Sequence, residues 1–187
     1  NNQFPAYGTN AFERGGILGN GNLKPEKTTT WELGAELKFL NGRLGADINY
    51  FDSKSEDVII AVQLSGATGF GNVVQNAATI TNKGWEITAN ATIIKTNDFT
   101  WDMDLNFTAI ENQIESLADG VDNIVLNGFT STSAQAVAGE PFSAIYGTGF
   151  QRTDEGRLIV AADGSPLLDP TPKALGDPNP DWTAGFR

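Results

Sequence analysis

Histidine and cysteine are both absent from this chain. Ser-His-Asp and Cys-His nucleophilic catalysis, disulfides and most transition-metal sites are therefore excluded within these residues. Cations are scarce as well: 12 Lys and Arg stand against 23 Asp and Glu, and a formal charge of -11 repels phosphate backbones, so nucleic acid is not an expected partner. No run of about 18 apolar residues occurs, which excludes a transmembrane helix and leaves a closed β-barrel as the one way such a chain spans a bilayer. No window sustains the i, i+3, i+4, i+7 spacing of an amphipathic helix either.

What the 187 residues do contain is 21 glycines and Asn-rich turns that separate runs of Thr, Val, Ile, Trp, Tyr and Phe. The expected class is all-β. In "KTTTWELGAELKFLNGRLGADINYF", Lys27 to Phe51, apolar and polar residues alternate on both sides of Asn41-Gly42. A two-residue type I′ turn there pairs Phe39 with Leu44, Leu37 with Ala46, Ala35 with Ile48 and Leu33 with Tyr50. One face is then apolar, with Leu40 and Phe51 as exceptions. The other receives Glu32, Gly34, Glu36, Lys38, Asp47 and Asn49, and turn chemistry and alternation agree on the register.

The pattern repeats 54 residues on, where "WELGAEL" (Trp31 to Leu37) is echoed by "WEITANA" (Trp85 to Ala91). Asp47-Ile48-Asn49-Tyr50 is matched by Asp104-Leu105-Asn106-Phe107. The apolar positions of this second hairpin are odd on both arms, so an odd loop, Thr96-Asn97-Asp98, pairs Ile93 with Trp101 and Ala89 with Leu105. Asn90 then falls opposite Asp104. Two stretches of about thirty residues, Asp52 to Asn82 and Ala109 to Pro141, read as long loops. Beyond them Phe142 to Phe150 reads as a strand, Asp154-Glu155-Gly156 and Asp163-Gly164 as turns, and Pro166, Pro170, Pro172, Pro178 and Pro180 argue against ladder pairing until Asp181 to Phe186. At least six strands result.

Alternation alone fits a membrane strand and one half of a soluble sandwich equally. Three features favour the membrane. The regular arms run about nine to eleven residues, the length of a tilted spanning strand. Their apolar face carries no charge, and rings gather near its ends: Trp31, Phe39, Tyr50, Trp85, Trp101, Phe107 and, in the last strand, Trp182. The opposite face sets Glu36 directly across from Asp47, an arrangement that needs water or a cation. In a barrel this places the rings toward lipid, and Glu32, Glu36, Asp47, Asn49, Glu86, Asn90, Asp102 and Asp104 toward the lumen.

At "GNLKPEKTTTWELGAEL" the chain resembles the barrel segment of TonB-dependent outer-membrane transporters. "NKGWEITANA" (Asn82 to Ala91), "SLADGVDNIVL" (Ser116 to Leu126), "AGEPFSAIYGTGF" (Ala138 to Phe150) and "PTPKALGDPNPDWTAGF" (Pro170 to Phe186) are similar to the SusC/RagA-type branch of Bacteroidota. The resemblance implies an antiparallel up-and-down barrel of about 22 strands around a plug. Residues 1–187 would supply about six of those strands with long extracellular loops; the plug domain and TonB-contacting segment lie outside them. It also implies residence in the outer membrane of a Gram-negative bacterium and import of glycans or peptides energised by TonB, with a SusD-like lipoprotein as partner. A start at Asn-Asn-Gln and a stop at Arg187, inside a strand-like run, fit a piece of a longer protein.

No enzymatic activity and no cofactor are expected. Asp119, Asp122 and Asn123 lack the twelve-residue spacing of a calcium loop. "GATGFG", Gly66 to Gly71, is followed by neither Lys-Ser/Thr nor a helix, so it reads as a loop tip and not a phosphate cradle. Two other classes stay open at this point. One is a soluble secreted β-sandwich or adhesin that binds glycans; the other, less supported, is a glycosidase with paired carboxylates.

Overall fold

The computed structural model describes residues 2–6, 9–13, 15–129 and 131–187, with side chains described from residue 15 onward. A short antiparallel pair, β1 (Asn2–Ala6) and β2 (Thr9–Glu13), comes first. The main sheet follows: β3 (Ile17–Leu18), β4 (Lys27–Phe39), β5 (Leu44–Gln63), β6 (Asn72–Lys95) and β7 (Thr100–Leu117). A second sheet contains β8 (Asn123–Gly128), β9 (Thr132–Val137), β10 (Ala144–Gly147) and β11 (Lys173–Gly176). The chain then returns to the main sheet as β12 (Thr183–Phe186), giving the order β12-β7-β6-β5-β4 with β3 parallel to the start of β6.

The first hairpin has the expected register. Phe39 faces Leu44, and the pairing continues without a slip to Lys27 opposite Glu56. Asn41 (φ 54°) and Gly42 (φ 83°) supply the two positive φ angles that a type I′ turn requires, and Arg43 N–H donates to the Leu40 carbonyl at 3.2 Å.

The second hairpin differs at its tip. Ala89 pairs with Leu105 and Asn90 with Asp104 as expected, but Trp101 pairs with Ile94 and not with Ile93. Its loop is not Thr96-Asn97-Asp98 but a four-residue turn, Thr96 to Phe99, in which Thr96 N–H reaches the Phe99 carbonyl at 2.8 Å and Phe99 N–H reaches Thr96 Oγ1 at 3.0 Å. That longer turn shifts the register by one residue, and a bulge between Thr92 and Ile94 absorbs the shift.

The long stretches expected as loops are largely strand. β5 and β6 continue well beyond the apolar alternation, so the connection between them is only residues 64–71, and β7 runs to Leu117. Polar groups on both faces hold these extensions: Thr28 with Ser55 (2.9 Å), Thr30 with Ser53 (3.1 Å), and Lys54 with Glu115 (2.7 Å). Where both faces meet water, period-two hydrophobicity vanishes while the ladder persists. The expected strand Phe142 to Phe150 is shorter, β10 alone, and the last strand begins at Thr183. Within the proline-rich stretch Lys173–Gly176 does pair, with β10, because it lies between Pro172 and Pro178.

β5 changes character at Asp57, a non-glycine residue with φ 57°, where the register slips twice. The "LKPE" segment clamps this irregularity. Asn76 Nδ2 donates to the Lys24 and Asp57 carbonyls (2.8 and 2.6 Å), Asn76 Oδ1 accepts from Lys24 N–H (2.9 Å), and Glu26 Oε1 accepts from Ile59 N–H (2.6 Å). Beyond the slip, Ile60 and Val62 pack on a fully buried cluster of Ala77, Ile114, Ile124 and Ala136, together with Ile80, Leu117, Val121, Leu126 and Phe142. β8 lies against β5 and β9 against β7, so the second sheet covers this part of the main one. Ile114→Ala removes the middle of that cluster and should cost about 3 kcal/mol, read as a lowered denaturant midpoint with an unchanged slope.

Candidate functional site

Paired residues share a face, so the register turns alternation into rows across the sheet. Leu33, Tyr50, Trp85 and Ala109 form one row; Ala35, Ile48, Ile87, Phe107 and Ala184 the next; then Leu37, Ala46, Ala89, Leu105 and Phe186; then Phe39, Leu44, Ala91 and Met103. No charged residue interrupts these four rows. Trp31, 79% exposed, lies just above them and Trp101, 50% exposed, just below. From the Trp31 row, which also holds Asp52, Lys83 and Glu111, to the level of Trp101 is about ten residues, or about 33 Å along a strand; a tilt of about 40° projects this to about 25 Å, the height of an outer-membrane band measured between its girdles.

The rings expected as a girdle all fall on this face. Tyr50 packs on Trp85 with centroids 4.9 Å apart, and Phe107 stacks on Trp182 at 6.2 Å and 25°. Trp31, Tyr50, Trp85 and Trp182 gather at one end, Phe39 and Trp101 at the other. Phe107 stands one row inside the first group.

The opposite face collects every residue expected to point inward. Gly34, Asn49, Glu86, Thr108 and Thr183 share one row, and Glu36, Asp47, Thr88, Asn106 and Gly185 the next. Lys38, Gly45, Asn90 and Asp104 follow, and Thr92 Oγ1 donates to Asp102 at 2.7 Å. Glu32 lies in the row above, beside Phe51 and Gly84. Two close approaches shape this surface. The Asn90 amide occupies the space a side chain at Gly45 would need, and the Ala109 carbonyl and the Phe51 ring do the same over Gly84, where the main chain itself excludes a Cβ.

Three cations on this face carried no role in the sequence reading. Lys38 Nζ lies 2.6 Å from Glu36, relieving its opposition to Asp47. Arg187 Nη2 and Nε approach Asp104 at 3.0 and 3.3 Å. Arg43 donates to the Thr92 and Ile93 carbonyls across the bulge. Glu32, Asp47, Glu86 and Asp102 form no ion pair among the described residues. The face is acidic and needs water.

The second sheet packs on the side that carries the acidic rows, above them, and not on the aromatic side. Ile80 and Ile114 belong to the same side as Asn82 and Asn112. Asn112 Nδ2 donates to Asn82 Oδ1, and Asn112 Oδ1 accepts from Phe142 N–H at 2.7 Å. The described residues leave the aromatic face open over its whole height. Among the described residues no cluster of carboxylates could hold a metal ion, and Asn123 of the Asp119-Asp122-Asn123 group begins β8.

With this geometry, comparison with known proteins is decisive. A family model for the TonB dependent receptor-like β-barrel matches residues 2–185. The chain belongs to that family. It is 31% identical over 153 residues to TonB-dependent receptor P26 of Formosa agariphila, a match covering 81% of this chain and 15% of that protein. It is 41% identical over 105 residues to TonB-dependent receptor SusC of Bacteroides thetaiotaomicron, covering 56% of this chain and 10% of SusC. The fold is similar to the RagAB peptide transporter, with a TM-score of 0.74 at 22% identity, over 100% of this chain and 21% of that one. The RagAB peptide importer in its "open-open" state gives 0.70 at 21% identity. The open main sheet is a partial barrel wall.

Beyond the wall strands, residues 150–169 form a meander closed by the two expected turns. Gly156 and Gly164, at φ 82° and 84°, donate to the Thr153 and Ala161 carbonyls. At its base Lys173 Nζ lies 3.0 Å from Asp169, and this bond, with the Thr171 N–H, holds the Asp169 carboxyl below its ordinary pKa. For a depressed acid the stabilisation is present above the unfolded pKa and fades as pH falls through the folded one. Lys173→Ala should move the Asp169 midpoint upward toward the ordinary carboxylate value in an NMR titration of its carboxyl carbon.

Proposed function

We propose that this chain forms part of the wall of an outer-membrane barrel that imports glycans or peptides, without enzymatic activity of its own. The observation that carries this reading is the placement of the second sheet. A soluble β-sandwich covers the apolar face of one sheet with another. In this chain the second sheet packs on the inward side, above the acidic rows, and an aromatic-ended band about 25 Å tall, uncharged in its four central rows, is left for lipid.

In this reading Trp31, Phe39, Tyr50, Trp85, Trp101, Phe107 and Trp182 face lipid, those near the band ends at the headgroups. Glu32, Glu36, Asp47, Asn49, Glu86, Asn90, Asp102 and Asp104 line a wet lumen around a plug. Turning the faces about would set six carboxylates in hydrocarbon, each costing up to about 2 kcal/mol near the midplane. The tight turns at Asn41-Gly42 and Thr96 to Phe99 mark the periplasmic end, and the second sheet and meander stand at the external mouth. TonB, acting through a plug, and a SusD-like lipoprotein are the partners that the similarity to SusC and RagA suggests, in the outer membrane of a member of the Bacteroidota.

In the full-length protein, Ile87→Arg should reduce folding stability in lipid vesicles by about 2–4 kcal/mol, whereas Thr88→Arg, one residue away, should be tolerated. Equal effects would contradict the assignment of faces. Release of the native protein by carbonate, soluble without detergent, would contradict membrane residence.

A further inference from the structure

Asparagine is followed by glycine three times, at Asn20-Gly21, Asn41-Gly42 and Asn127-Gly128. This dipeptide carries a latent reaction. The glycine nitrogen can attack Cγ of the asparagine side chain, and glycine, having no side chain of its own, leaves the approach open. Whether a folded chain permits the attack depends on how closely its geometry holds the two atoms together.

At Asn41 they are held apart. The type I′ turn sets this residue at φ 54° and ψ 40°, which places the Gly42 nitrogen opposite the side chain across the Cα–C bond. Nitrogen and Cγ meet only if the turn opens, and that turn fixes the register of the first hairpin. At Asn20 the side chain is committed elsewhere. Its Oδ1 accepts from Asn22 N–H at 2.9 Å, an Asx turn that directs the amide past Gly21 to the next main-chain group.

Asn127 differs from both. It lies exposed near the end of β8, where Phe129 and Thr132 exchange main-chain bonds of 2.8 and 3.3 Å. The next pair of the ladder, Gly128 with Ser133, is therefore a non-hydrogen-bonded one, whose N–H groups point away from the partner strand. The Gly128 N–H turns to the neighbouring side chain and donates to Asn127 Oδ1 at 2.8 Å. The attacking nitrogen is thus held against the amide it would attack. Gly128 is also fixed as glycine: its φ is 134°, and a Cβ there would stand 2.5 Å from Ser133 Cα and 2.7 Å from the Thr132 carbonyl oxygen.

We propose that Asn127 is a site of spontaneous deamidation in the folded protein. The Gly128 nitrogen gives up its proton and bonds to Cγ, the Cγ–Nδ2 bond breaks, and Nδ2 leaves with that proton as ammonia. A five-membered succinimide remains, and water opens it. Addition of water at Cγ breaks the newly formed bond and leaves aspartate on an unaltered main chain. Addition at the main-chain carbonyl carbon leaves isoaspartate, with the chain routed through Cβ and Cγ. The first product keeps an acceptor for the Gly128 N–H and puts a carboxylate at the tip of the second sheet, beside the exposed Phe129. The second lengthens the main chain by one atom next to the bulge between Val125 and Asn127, and shifts Gly128 off Ser133.

The test incubates the folded full-length protein in mildly alkaline water enriched in heavy oxygen, with peptide mapping by mass spectrometry at intervals. Conversion at Asn127 should outrun conversion at Asn20 and at Asn41 by about tenfold or more. Heavy oxygen should enter at residue 127, with isoaspartate among the products. In the same protein unfolded in urea the three rates should come together, because folded geometry and not sequence separates them. Hydroxylamine, which cleaves succinimides, should cut the folded chain first between residues 127 and 128. Asn127→Gln should abolish both signals there and leave the other two sites unchanged. Conversion at Asn127 no faster than at Asn20 or Asn41 in the folded protein would overturn the proposal, and so would a preference for Asn127 that persists in urea.

Discussion

Register across β4, β5, β6 and β7 is the constraint on which the rest depends. Side chains alternate with period two, so a slip of one residue in any strand would carry Trp, Leu and Phe to the acidic side and Glu and Asp to the aromatic side. Several local devices resist that slip. Asn41 and Gly42 accept positive φ and close the first hairpin in one register. The longer turn at Thr96 to Phe99 is offset by a bulge at Ile93, whose carbonyl Arg43 holds. Asn90 over Gly45 and Phe51 over Gly84 lock neighbouring strands by contact.

Along their length the strands serve two environments. In the lower part neither face is covered by the described residues: one is uncharged and aromatic-ended, the other acidic with Lys38 and Arg187 as its ion-pairing cations. In the upper part both faces of several strands are polar, and order comes from Thr-Ser bonds, the Glu26 and Asn76 clamp on the Asp57 irregularity, and the small core under the second sheet. The irregularity at Asp57 lets Ile60 and Val62 join that core. The lower wall draws its fit from its surroundings, and the upper part carries its own hydrophobic anchor.

This division also explains what was legible in the sequence. Where one face is apolar and the other polar, alternation revealed the strands, and the Asn41-Gly42 register was read to the residue. The side each of Glu36, Asp47, Asn90 and Asp104 occupies followed from it. Where both faces are polar, as from Ser53 to Asp57, the ladder continued with no hydrophobic signal, and a strand read as a loop. The Thr96 to Phe99 turn depends on one hydroxyl bonding two main-chain groups, which spacing does not reveal. The second sheet buries small residues such as Ala77 and Ala136, whose role is visible only once Ile114 and Ile124 are brought beside them. Lys38, Arg43 and Arg187 were in view as residues, but their partners lie on other strands or turn on side-chain reach.

The most direct measurement uses the absence of cysteine. Single cysteines at Ala46, Asp47, Ile48, Asn49 and Tyr50 of the full-length protein, labelled with a polarity-sensitive fluorophore in lipid vesicles, report the environment along β5. Labels at Ala46, Ile48 and Tyr50 should be quenched by lipid-borne nitroxides, and those at Asp47 and Asn49 by a water-soluble quencher alone. A uniform response, or the reverse alternation, would contradict a wall with lipid on its aromatic side.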